Sequence, residues 1–209
     1  ICTSLNFRGP KITGYLSNFS AWGAILPVAG LSLFGWFWFS PTLYVESWNP
    51  NNVPFFSALS NSISMTLWAF LGLESACANS EAVDNPEKNV PKAVLGATIG
   101  VAVIYILSTN ICAGIVDNAS LVQSTAPFGL VFASMFNDTV GKIVIGMMVI
   151  SCAGSLLSWQ FTIAQVFKSL SDAKFFPSAF SKLTKDDAPV VGMVIITCTQ
   201  TLLSFMTIS

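Results

Sequence analysis

One carboxylate stands inside an otherwise charge-free apolar run: Glu74 is the only charge between Val53 and Asn79. Holding it in a membrane-spanning helix costs about 3 kcal/mol on insertion scales, and such groups are usually retained to handle ions, protons or cationic solutes. Its helical neighbours Phe70, Leu71, Cys77 and Ala78 offer no counter-charge. A partner must come from another helix, from water, from a proton or from a cationic ligand. The alternative is a structural Glu, bonded across a helix interface or snorkelling to the cytosolic boundary. Seven residues past Leu67 at mid-run, it sits about 10 Å toward the cytosol. Gly72 lies between Trp68 and Glu74. A helix broken there would offer backbone N–H and C=O groups to a solute, which is tolerated only where the backbone lines a cavity. Close helix packing is the other reading of a lone Gly in a membrane.

A second group of polar residues lies downstream. Ser151, Ser155, Ser158, Thr162 and Gln165 recur at spacings of 4, 3, 4 and 3, which draws one polar stripe along a helix. Trp159 stands beside that stripe near mid-membrane depth, away from the headgroup level where Trp anchors sit. Its face could stack on the methylene chain or ammonium of an amine. Equally, the hydroxyls could be packing glue and the indole a space-filler.

The elements that must position these residues follow from where charge is absent. Of 209 residues 53% are apolar and only 9% charged, against about a quarter charged in a soluble domain. Five long runs hold at most one charge each: Lys11 to Glu46 with its dense part at 21–39, then 55–79, 93–116, 143–167 and 189–208. Each has the roughly 20 residues a helix needs to cross about 30 Å of hydrocarbon, and none alternates as a barrel strand would. The reading is an all-α integral membrane chain with about five transmembrane helices, forming one membrane domain over residues 1–209. Residues 118–137 are too polar to join the count and predict a loop followed by a short surface or re-entrant helix from Pro127.

Smaller motifs read structurally. Gly96 and Gly100 form a G-x-x-x-G packing groove, Pro27 predicts a kink, and Trp36, Trp38 and Trp48 form an aromatic belt. The stretch from Asn85 to Pro91 predicts a turn, with Pro91 in the first turn of the next helix.

Basic residues number two before the first run (Arg8, Lys11), none after it, two after the second (Lys88, Lys92), one after the third (Lys142) and four after the fourth (Lys168, Lys174, Lys182, Lys185). That alternation places the N-terminal segment and the 80–92 and 168–187 loops in the cytosol. A net charge of −1 provides no field for nucleic acid, and the absence of His removes the Ser-His-Asp triad and His-ligated metals. The five Cys are isolated in apolar surroundings, so no metal or other cofactor is expected. An intramembrane enzyme lacks a nucleophile–base pair or paired acids. A non-transporting helical module remains an alternative, and it predicts no helix break at Gly72. The chain starts at Ile1 without Met and stops at Ser209 on leaving an apolar run, which reads as an internal piece of a larger protein.

Four motifs then carry a resemblance: Trp68-Ala-Phe-Leu-Gly-Leu-Glu74-Ser-Ala, Asn85-Pro-Glu-Lys-Asn-Val-Pro91, Ser124-Thr-Ala-Pro-Phe-Gly129 and Gly154-Ser-Leu-Leu-Ser-Trp159. Together they resemble the basic amino acid/polyamine antiporters of the amino acid-polyamine-organocation (APC) superfamily, over nearly the whole chain. The likeness is greater to the putrescine–ornithine branch than to the cadaverine–lysine and arginine–agmatine exchangers. It implies a twelve-helix, LeuT-like fold of two inverted five-helix repeats in the bacterial cytoplasmic membrane, with helices five to nine present here. It also implies exchange of putrescine for ornithine, with proton-linked putrescine uptake as a further mode. By the same resemblance Trp68 walls the substrate site, Ala69, Leu71 and Gly72 supply unwound backbone, Glu74 is the acidic residue beside them, and Trp159 is an aromatic gate. Ser151, Ser155, Ser158 and Thr162 are expected to line the pathway. Lys88 stands where many relatives carry Arg. The partners implied are small cationic substrates, the lipid bilayer and the missing helices of the same protein; the oligomeric state stays open, a homo-oligomer included.

Overall fold

The structure, a computed structural model, describes residues 2–49, 51–72 and 85–208. Its α-helices are α1 (Cys2–Asn6), α2 (Pro10–Phe34), α3 (Pro41–Ser47), α4 (Phe55–Phe70), α5 (Pro86–Ile115), α6 (Asn118–Gln123), α7 (Pro127–Met135), α8 (Asp138–Asp172) and α9 (Val190–Ile208), with 3-10 turns at Gly35–Trp38 and Ser178–Ser181. Among the described residues, Pro10–Trp38, Pro86–Ile115 and Asp138–Asp172 are long and apolar enough to cross a membrane, and Val190–Met206 is apolar but shorter. The helix of the second apolar run ends at Phe70.

Several helices outrun their apolar windows. α2 begins at Pro10, taking Lys11 into its first turn, and continues through Pro27. α5 begins at Pro86, whose ring presets the first helical φ, with Glu87 complementing the positive end of the helix. Pro91 therefore lies inside the helix rather than in its first turn, which corrects the expected 85–91 turn; only Asn85 is left-handed, at φ +49°. A helix from Pro127 is present as expected, but the loop before it holds a short helix, α6, capped by Asp117, whose carboxylate accepts the Ser120 N–H at 2.8 Å. The expected Gly96/Gly100 groove is not used among the described residues: a Cβ on either would meet nothing within 4 Å.

The chain divides into two compact units, residues 1–24 with 147–209, and residues 25–146. In the first, small residues set the packing. In lipid no hydrophobic drive holds helices together, so close backbone approach and interhelical hydrogen bonds must do it. A Cβ on Gly154 would lie 1.6 Å from Ser20 Oγ, and one on Gly23 would lie 2.5 Å from the Met147 carbonyl oxygen, so α2 and α8 run antiparallel at near-contact of their backbones. Asn6, fully buried, donates to the Leu157 carbonyl at 2.9 Å and accepts from Thr13 Oγ1 at 3.0 Å. Gln160 on α8 donates to Gln200 on α9 at 2.6 Å, and Ala164 packs against Gly192.

The second unit centres on Leu31, Ile111, Val116, Val131 and Met135. Gly35 and Gly114 let the turn after α2 close on α5: a Cβ on Gly35 would meet Ile111 Cγ2 at 2.4 Å, and one on Gly114 the Phe39 ring at 2.2 Å. The Ser40 N–H donates to the Gly114 carbonyl at 2.8 Å, and the Tyr44 hydroxyl reaches Asn110 Oδ1 at 2.5 Å. Trp36, Phe39, Tyr44 and Trp48 form a chain of ring contacts along this end.

Candidate functional site

The end of α4 departs from helical geometry within its apolar run. Leu71 is extended, at φ −63° and ψ 137°, and Gly72 follows at φ +104°, a backbone that a side chain strongly disfavours. The Leu71 N–H still reaches the Trp68 carbonyl at 3.4 Å. α4 ends there, and a helix C-terminus carries partial negative charge, which suits a cation. Ser64 and Thr66 hydroxyls bond back to the carbonyls of Ser60 and Ser62, at 3.4 and 2.7 Å, one turn before the end.

α5 braces this end. The Tyr105 hydroxyl donates to the Ala69 carbonyl at 3.2 Å, and its ring meets Phe70 edge-on at 5.7 Å. Between them lies an open cavity of about 640 Å³, whose lining includes Thr66, Ala69, Phe70, Tyr105 and Phe128. Trp68 lies outside that lining and is 78% exposed.

The expected site residues are distributed as follows. Trp68, Ala69, Leu71 and Gly72 are contiguous at the α4 end, in the unit spanning 25–146. Glu74 lies outside the described residues. Trp159, 41% exposed, belongs to the other unit, on α8. Of the polar stripe, Ser151 sits in the α2–α8 seam, its Cβ 3.6 Å from a Cβ built on Gly23, while Ser155 is exposed and Ser158 and Thr162 are half-buried. The buried face of α8 is instead drawn by Gly154, Leu157, Gln160 and Ala164, with the stripe on its flank. Tyr105, Asn6 and the Gln160–Gln200 pair were not singled out from the sequence. The two Gln had a usable signal, since each is a polar side chain within a charge-free run.

Among the described residues, three helices long and apolar enough to span, with the shorter α4 ending at an irregular backbone beside a cavity, define an all-α integral membrane chain. The amino acid permease family profile matches residues 1–209, and the chain belongs to that family, in the APC transporter fold. It is 66% identical over all 209 residues to a Haemophilus influenzae protein described as putrescine transporter PotE, and 65% identical to the Escherichia coli protein of the same description. An Escherichia coli cadaverine/lysine antiporter is 25% identical over 206 residues, 99% of this chain. The chain spans about half the length of these curated relatives, 48% of the putrescine transporters and 46% of the antiporter.

Proposed function

We propose that the whole protein is a secondary active transporter of the bacterial cytoplasmic membrane that exchanges putrescine for ornithine through one site opened alternately to each side. The observation that carries this is the 66% identity, unbroken over the chain, to a putrescine transporter. Cadaverine–lysine exchange, with only 25% identity behind it, is the weaker reading. No bond is made or broken in the proposed cycle, so no enzymatic step is invoked.

The chemistry of the α4 end supports the same reading. A diamine stripped of water needs oxygen acceptors and negative charge. Carbonyls at a broken helix end supply the first, in the manner of transporter ion and substrate sites. In this reading Glu74 supplies the second, while Trp68 and Trp159 offer cation–π and methylene contacts. Ser151, Ser155, Ser158 and Thr162 are assigned to the pathway on the same basis. The bilayer and the remaining helices of the protein complete the site.

Replacing Glu74 by Gln in the full-length protein removes the charge and keeps the shape. Hydrogen bonds to charged groups contribute about 1.5–3 kcal/mol, so putrescine exchange in vesicles should weaken about 10- to 100-fold in kcat/KM. Exchange at the wild-type level in Glu74→Gln would remove that carboxylate from the mechanism.

A further inference from the structure

We propose that Tyr105 is a positioning residue for the broken end of α4, fixing the Ala69 carbonyl in the orientation in which that end receives a substrate ammonium; the second half of this rests on the transport reading above. α4 ends at Phe70, with Leu71 extended, and at membrane depth a backbone carbonyl at a helix end is costly without a donor. The Tyr105 hydroxyl is that donor, at 3.2 Å from the Ala69 oxygen.

The phenol is itself held in place. Its ring meets Phe70 at 5.7 Å and 76°, so the residue on the far side of the bonded carbonyl braces the ring that donates to it. Its backbone carbonyl is bonded by the Thr109 hydroxyl one turn along α5. Ala69, Phe70 and Tyr105 line the same cavity of about 640 Å³, so the carbonyl that Tyr105 aims borders space that a small solute can enter. A carbonyl oxygen has two acceptor directions, so one that takes the phenol proton can also accept from an ammonium.

The test is Tyr105→Phe in the full-length protein, which keeps the ring and deletes the donor. Amide exchange of the peptide covering 65–72 should quicken about fivefold, the effect of one hydrogen bond. The KM for putrescine should rise by a similar factor with kcat within about twofold of wild type. Unchanged amide exchange overturns the inference whatever transport does. Faster exchange with an unchanged KM overturns the link to substrate and leaves a structural cap. A joint fall in kcat and thermal midpoint does the same. A wild-type protein that moves no putrescine would instead sink the transport reading, and the amide-exchange result would still decide the role of Tyr105 at the helix end.

Discussion

Gly72→Ala probes the α4 break with a single methyl group. At φ +104° the backbone of residue 72 lies where an L side chain collides with its own carbonyls, a penalty of about 1–2 kcal/mol for a left-handed residue. The variant can relax by moving residue 72 to negative φ, which redirects the chain just after the extended Leu71 and turns the terminal carbonyls of α4 away from the cavity. If substrate binds only the observed backbone, the binding-competent population falls about 5- to 30-fold, and the apparent affinity falls with it. The assay is the initial rate of labelled putrescine uptake into ornithine-loaded vesicles carrying the full-length protein, as a function of putrescine concentration. KM should rise about 5- to 30-fold. Gly14→Ala is the control, since a Cβ there meets nothing within 4 Å and the site is in regular helix, so KM should stay within about twofold. A normal KM in Gly72→Ala, or an equal rise in the control, refutes the reasoning.

Two further outcomes follow from the packing and the caps. Gly154→Leu places a side chain where Ser20 Oγ is 1.6 Å from the Cβ position, and overpacking of this kind costs about 1–3 kcal/mol; the thermal midpoint of the purified protein should drop by several degrees, and an unchanged midpoint would mean that α2 and α8 do not pack as described. Asp117 accepts the Ser120 N–H, chiefly through the backbone, and this holds its carboxyl below the ordinary value of 3.8. A depressed folded value means that the stabilisation is present above 3.8 and is lost as pH falls through the lower folded value. Amide exchange in 118–123 should therefore quicken only in strongly acidic buffer, and in Asp117→Ala at every pH; wild-type protection in that variant at neutral pH would contradict the cap.

The long helices were legible because charge is expensive in hydrocarbon, so its absence from 93–116 and 143–167 marks their interiors directly. Helix starts were not. Lys11 and Glu87 are compatible with a helix that projects beyond the apolar layer, so hydropathy alone put the start of α2 about three turns late. The backbone change at Gly72 was legible from one Gly in an apolar run because few other residues tolerate positive φ. The packing face of α8 was obscured for a related reason: Ser151, Ser155 and Ser158 drew attention as a polar stripe, whereas in lipid the seam is marked by missing side chains, at Gly154 against Ser20 and at Gly23 against Met147. Tyr105 could not be found from spacing, since its role depends on a carbonyl 36 residues away.

The central claim is coupled exchange, and one measurement bears on it most directly. Vesicles carrying the full-length protein are loaded with ornithine or left empty, and labelled putrescine is added outside. The account predicts rapid accumulation only in the loaded vesicles, matched by stoichiometric loss of ornithine and abolished by excess unlabelled putrescine. Putrescine uptake at the same rate in empty vesicles with no imposed proton gradient, or no uptake in either, would contradict it.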